Sequence, residues 1–320
     1  MPLEHIQSVA VVGAGQMGPA IAQTSAQAGY PTTLIARNAA SLKKARERIM
    51  ANLLAMSHYE LVKPDEIETI LGRITYSSDG LIGAASVDLV IEAAAEDLKL
   101  KQQLFVDLEA VVRDDVILAS TTSGLRAADI GLRTARPERV IVAHYWNPPH
   151  LMPLVEVAPS ERTAPEVIEV LTAFLRSTGH SPTLVNKDAM GFIANRLQHA
   201  LWREALAIVQ HGIASPADVD EALKTSFGAR TPVLGIFEHM DLVGLDLVEA
   251  IHSYLLADLD TLPGPNPELS ERVKRGDLGV RSGLGFYDWT TKSADDVLRA
   301  RDTELMERAV KRKNASKPAS

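Results

Sequence analysis

The chain has 320 residues, enough for two domains and a substantial core. Its 46% hydrophobic and 23% charged residues are ordinary for a globular protein, and a formal net charge of −8 excludes a generic binder of nucleic-acid backbone, which needs a cationic surface. There is no cysteine, so disulfides and thiolate metal sites are excluded, and no apolar run reaches the length of a membrane span.

Residues 8–13, SVAVVG, follow the start of the chain so closely that no signal peptide is expected, and a cytoplasmic location is. They read as a short buried parallel strand ending in glycine. A helix follows over 17–28, with Pro19 in its first turn, where a missing N–H costs nothing, and Gly29 as its stop. A strand is predicted at 32–37, then helices at 39–56 and 64–71. Further strands are predicted at 87–92, 116–120, 140–144, 153–158 and 181–185, with helices at 98–112 and 163–176. After Asn186 the texture changes: 189–211, 215–227 and 243–259 have helical period and no further strand is evident. Residues 262–269 form a proline-rich loop, and the charged tail from Ser293 reads as one exposed helix with a frayed end. Alternating strands and helices followed by helices alone imply a Rossmann-type doubly wound parallel sheet plus a second, all-helical domain. The expected domains are 1–186, the doubly wound sheet, and 187–320, the helical domain that closes over the site.

Gly13-Ala14-Gly15-Gln16-Met17-Gly18 is a G-x-G-x-x-G between a strand and a helix. Gly13 permits the tight turn, Gly15 lets a pyrophosphate approach the backbone, and Gly18 lets the helix pack close. A methyltransferase would normally carry an acid before the first glycine; Val12 stands there. At the end of the second strand, Ala36 occupies the place where NAD and FAD sites usually put an acid for the ribose hydroxyls. Without that carboxylate, Arg37 is free to pair with a 2′-phosphate, so NADP is favoured, with NAD the alternative. Lys43, Lys44, Arg46 and Arg48 read as a solvated helix face.

The stretch VAHYWNPPHLMPLVEV, residues 142–157, sets His144, Asn147 and Glu156 among aromatics, prolines and aliphatics. His144 ends a strand, and ligands in doubly wound sheets bind outside the carboxyl ends of strands. Glu156 closes the next strand, where its carboxylate can orient the imidazole. Ser123 follows another strand, and Asn195 lies on the first helix of the second domain. Glu92 reads as a sheet-end or capping residue; Phe192, Trp202 and Phe237 as domain-packing residues. His199 and His211 lack ligand-pair spacing, and no metal site is expected.

Over nearly all of residues 6–289 the chain resembles the 3-hydroxyacyl-CoA dehydrogenase superfamily, which includes the L-gulonate dehydrogenase and lambda-crystallin branch. GAGQMGPAIAQ is similar to its nucleotide loop and IEAAAEDLKLKQQLF to a strand and helix beside the nicotinamide. STTSGL, HYWNPPHLMPLVEV and GFIANRL resemble its active-site blocks, and SGLGFYDW its C-terminal signature. The resemblance implies His144 as general base with Glu156 as its partner, and Ser123 and Asn195 holding the reacting oxygen. It further implies that Glu96, Lys101, Asn147 and Ser123 lie along the cofactor, and that Arg281 takes the place of a cofactor-contacting lysine. A homodimer is implied as well, with LVGLDLVEAIHSYLL as a plausible interface.

CoA-using members of the superfamily carry a CoA-contacting serine and lysine on the helix after the second strand; Asn52 and Tyr59 stand there. An acidic chain without a basic patch is poorly suited to an anionic CoA. The expected substrate is therefore a small CoA-free 3-hydroxy acid or related alcohol. A 3-hydroxyacyl-CoA thioester is the alternative, and a non-catalytic, crystallin-like dinucleotide binder is a third reading.

Overall fold

Four consecutive buried residues, Val9–Val12, form strand β1. Such a run has no solvent face, so it requires helices on both sides of the sheet. The computed structural model, which describes residues 5–315, supplies them. Helix α1 (Gly18–Gln27) returns the chain to β2 (Thr32–Ile35), and α2 (Ala39–His58) starts at Asn38, whose Oδ1 accepts the Ser41 N–H at 2.8 Å. Helix α3 (Ile67–Gly72) leads into β3 (Ile74–Ser77). Strand β4 (Leu89–Glu92), helix α4 (Leu98–Glu109), strand β5 (Ile117–Ser120) and the short α5 (Ala127–Ile130) follow. Strands β6 (Val140–Tyr145) and β7 (Leu154–Pro159), helix α6 (Pro165–Ser177) and β8 (Ser181–Leu184) complete the sheet.

Among the described residues the sheet has eight strands in the order β3-β2-β1-β4-β5-β6-β7-β8. All neighbours are parallel except β6 and β7, which are antiparallel. The order reverses between β1 and β4, the switch point where a doubly wound sheet opens a crevice. The expected Rossmann-type fold is present. Strand β3 is not evident in the sequence. It lies at the sheet edge with only Ile74 buried, so ITYS shows neither an apolar run nor a clean alternation.

Alternation along the strands sorts side chains onto two faces. Val9, Val11, Leu89, Ile91, Ile117, Ala119, Ala143, Val155 and Val157 join one apolar cluster. Ala10, Val12, Val90, Leu118, Val140, Val142 and Ala158 join the other. By the same parity Glu92, Ser120, His144 and Glu156, all buried, fall on the second face. Four polar side chains at adjoining strand ends on one face are where the chemistry is concentrated.

The chain divides into two compact units: residues 5–195 with 299–315, and Arg196–Leu298. The second unit holds most of α7 (Ala194–Gln210), together with α8 (Pro216–Thr225), α9 (Phe227–Arg230), α10 (Ile236–Val243), α11 (Leu245–Leu255) and α12 (Pro267–Arg275). The helix expected over 243–259 instead begins after Gly244, whose φ of 103° interrupts α10 and α11. Trp202 and Phe237, expected to pack, are 49% and 80% exposed, whereas Phe192 is buried against the second apolar cluster. No helix among the described residues is long and apolar enough to cross a membrane.

The tail corrects a second expectation. Helix α13 (Ala294–Ala315) is not simply exposed: Met306 is buried and Leu305 packs against the first apolar cluster. Arg312 donates to the Leu151 carbonyl at 3.0 Å and Lys313 to the Glu60 carbonyl at 2.6 Å. Two apolar residues among many charges make too weak a periodic signal to reveal such docking. Met306→Ala should lower stability by about 2 kcal/mol, the low end for truncating a buried methionine, read as a shift in the urea midpoint of the unit that holds α13.

Candidate active site

At the switch point, Val12–Met17, Ala36–Asn38, Ala93–Glu96, Thr121 and Ser123 line a cleft of about 1080 Å³. The three glycines differ in what they allow. A Cβ on Gly13, at φ 121°, would lie 2.4 Å from the Ala93 carbonyl oxygen, and one on Gly18 would collide with the Gly13 carbonyl. Nothing lies within 4 Å of a Cβ on Gly15, so its backbone is open to an incoming group. Helix α1 has no side-chain cap, so its first amides are available to a pyrophosphate. Size, open glycine and uncapped helix together fit a dinucleotide. Gln16, Met17 and Arg37 line the cleft as expected; Gly18 packs behind it. Arg48 is exposed, as a solvated face requires, and it also donates to the Gly15 carbonyl at 2.9 Å, a contact across 33 residues with no local signal.

One wall of the cleft is built on carboxylates. Glu96 lines the cleft, and its Oε1 accepts the Thr122 hydroxyl and the Ser123 N–H. Lys101 is not at the cleft surface. It is 1% exposed, donates to both oxygens of the buried Glu92 at 2.8 and 2.9 Å, and lies 3.5 Å from Glu96 Oε2. Glu92 also accepts the Ala94 N–H and the Ser120 hydroxyl, each at 2.6 Å, so it caps the strand end as expected and does more besides.

His144 and Glu156 are direct partners in the antiparallel β6–β7 register. The imidazole Nδ1 lies 2.8 Å from Glu156 Oε2. Glu156 is fully buried and also accepts Trp146 Nε1–H at 3.2 Å, Ile193 N–H at 2.8 Å and Ala194 N–H at 2.9 Å. Burial alone would raise its carboxyl, but the hydrogen bonds from His144, Ala194, Ile193 and Trp146 outweigh burial and hold it down at about 2. An ionised carboxylate only accepts, so Nδ1–H is the donor in this contact and Nε2 is left for a second partner. Trp146 and Phe192 flank the ring, with centroids 5.6 and 5.4 Å away.

Asn195 Nδ2 donates to the Ser123 carbonyl at 2.7 Å, which joins two of the expected residues. Asn147 is exposed, on a loop that His180 Nε2 meets at the Pro149 carbonyl and Arg312 at the Leu151 carbonyl. Burial lowers His180 to about 4, so it is neutral near pH 7 and donates through Nε2. Arg281 is exposed in the second unit, in the turn bridged by Gly279 and Leu284.

A glycine-loop cleft at the switch point and an ionised carboxylate behind a histidine define a nucleotide-dependent oxidoreductase of the Rossmann class. Models of the 3-hydroxyacyl-CoA dehydrogenase NAD binding domain and C-terminal domain match residues 8–189 and 191–289. The chain belongs to the 3-hydroxyacyl-CoA dehydrogenase family and is an NAD-binding dehydrogenase of CH–OH groups. It is 29% identical over 94% of its length to 96% of 5-formyl-3-hydroxy-2-methylpyridine 4-carboxylate 5-dehydrogenase from Mesorhizobium japonicum. A crystal structure of such a 5-dehydrogenase, described as an NAD+-dependent dismutase, matches 96% of this chain and 99% of its own with a TM-score of 0.88 at 29% identity. The (S)-3-hydroxybutyryl-CoA dehydrogenase of Ralstonia eutropha matches 88% of this chain and 99% of its own, with a TM-score of 0.74 at 30% identity.

Because the folded Glu156 carboxyl titrates below its ordinary 4.5, the stability it supplies is complete above that value and is lost as pH falls toward about 2. Wild type should therefore exceed Glu156→Gln in stability at about pH 4.5, and that margin should close as pH falls from there to about 2. Urea midpoints across that range are the measurement.

Proposed function

We propose that the chain interconverts a secondary alcohol and its ketone on a small CoA-free hydroxy acid, with His144 as general acid–base. The observation that carries this is the Nδ1–carboxylate contact of 2.8 Å, which leaves Nε2 as the basic nitrogen. Nε2 takes the hydroxyl proton, and the imidazolium that forms is stabilised by Glu156. A nicotinamide cofactor bound in the cleft would supply the hydride chemistry, and the chain's own residues move the proton. In the reverse direction His144 returns the proton to the developing alkoxide. Ser123 and Asn195, already joined in one hydrogen-bonded pair, hold the reacting oxygen, while Glu96, Lys101, Asn147 and Arg281 serve the cofactor. A mere dinucleotide binder has no need of a buried carboxylate behind a histidine.

Ala36 and Arg37 line the cleft and leave it without an acid that would repel a 2′-phosphate, which supports NADP over NAD. The substrate reading rests on three observations. Asn52 is tied to Gln23 at 2.9 Å, and Tyr59 packs against the first apolar cluster, so neither is free for CoA. Lys313 of α13 is engaged with the Glu60 carbonyl beside them. The structural match to the pyridine carboxylate enzyme, with a TM-score of 0.88, exceeds that to the Ralstonia eutropha CoA enzyme, at 0.74, at nearly the same identity. The second unit exposes Phe237, Leu242, Leu245 and Tyr254 on α10 and α11, which supports a homodimer.

His144→Ala should lower kcat by about a hundredfold or more while cofactor affinity stays nearly unchanged, since general-base catalysis contributes ~10²–10⁴. Near-normal turnover in the folded variant removes His144 from the mechanism. Turnover of paired free acids and CoA thioesters with both cofactors tests the rest. A free acid should be used, and NADP should exceed NAD by about tenfold or more through a charge-assisted phosphate contact. A CoA ester preferred by about a thousandfold, roughly 4 kcal/mol of recognition, replaces this substrate reading. Equal efficiency with NAD makes Arg37 a surface residue.

A further inference from the structure

Glu92 has no part in that chemistry, yet its carboxylate, buried behind the cleft wall, accepts from Ala94, Lys101 and Ser120. It is 0% exposed and lies two residues before Ala94, whose N–H it accepts at 2.6 Å. Ala93, Ala94 and Ala95 line the cleft, so this bond fixes the turn that forms one wall. Its other contacts run to two further elements: the Lys101 ammonium on α4, bonded to both carboxylate oxygens, and the Ser120 hydroxyl at the end of β5. Ser120 Oγ accepts the Thr122 N–H at 3.2 Å, and Thr122 and Ser123 hold Glu96. Lys101 approaches Glu96 from the other side at 3.5 Å. Local structure explains the arrangement: Asp97 caps α4 through the Leu100 N–H, which sets Lys101 in the first turn, and strand parity brings Glu92 and Ser120 to one face.

Packing alone gives no reason to retain such a pair. A buried ion pair typically returns little net stability, and an apolar pair of similar volume does as well or better. What the pair supplies is position. Glu96 is partly exposed, with 48% of its side chain accessible, and on its own has no reason to keep one rotamer. We propose that Glu92 is a positioning residue for the nicotinamide side of the cofactor site, acting through Lys101 and Ser120 to hold Glu96 and the Ala93–Ala95 turn in their binding geometry. Glu92 and Lys101 need touch no cofactor atom to do this. The inference rests on the dehydrogenase reading above.

The test is direct binding of NADH and NADPH to the whole chain, followed by nucleotide fluorescence, so it does not depend on the substrate. Glu92→Gln should weaken the better-bound cofactor by about tenfold, the same range as Glu96→Gln. Adding Glu92→Gln to the Glu96→Gln background should cost less than about twofold more, because the residue it acts through is already lost. A purely structural role would lower the melting temperature without this non-additivity. If Glu92→Gln leaves Lys101 uncompensated and the chain does not fold, Glu92→Gln with Lys101→Met removes both buried charges and should show the same loss and the same non-additivity with Glu96→Gln. Unchanged affinity in the folded variants, or losses that simply multiply, overturns the proposal while leaving the dehydrogenase reading standing. A wild-type chain that binds neither nucleotide overturns both.

Discussion

One reversal of direction organises this site. In a parallel sheet the ladder hydrogen bonds are evenly spaced but slanted. Here β6 and β7 are antiparallel, so residues on adjacent strands stand directly opposite each other, and His144 faces Glu156 across a single ladder step. The imidazole needs no loop to hold its partner. Because the pairing sits within the ladder, Glu156 is buried, and a buried carboxylate must be fully hydrogen-bonded. The N–H groups of Ile193 and Ala194 and the Trp146 indole complete that requirement and keep it ionised. The tautomer of His144 follows from this charge.

Glu92 repeats the same logic three strands away. Both carboxylates lie on the same face of the sheet, both are buried, and both draw donors from elements distant in the chain. They differ in the partner. Glu156 holds an imidazole through one ring nitrogen, which leaves the other for a second partner, whereas Glu92 holds an ammonium through both of its oxygens. One pair is therefore suited to proton transfer and the other to static support.

The C-terminal helix adds a constraint of another kind. Through Met306 and Arg312 it is fastened to the first apolar cluster and to the loop that carries Asn147, and through Lys313 to the end of α2. The helix after β2 and the loop after β6 are thus tied to a segment that lies beyond the residues matched by the family models. Variation in such an appended segment can alter what a shared scaffold accepts without touching the catalytic pair, because function resides in the site and not in the fold.

The sequence by itself determined the Rossmann-type sheet, the glycine loop and the residues around His144, because each is written locally. Buried parallel strands appear as apolar runs, the turn requires glycines at set spacing, and a polar residue ending an apolar strand stands out. Only the tertiary structure decided the edge strand Ile74–Ser77, the docking of α13, the Arg48 contact with Gly15 and the burial of Lys101. Each depends on partners far along the chain, and a charged side chain has the same one-letter symbol whether it is solvated or buried in an ion pair. Glu92 shows the limit: its place at a strand end was legible, but its grip on Lys101 and Ser120 comes from α4 and β5, which only folding brings to it.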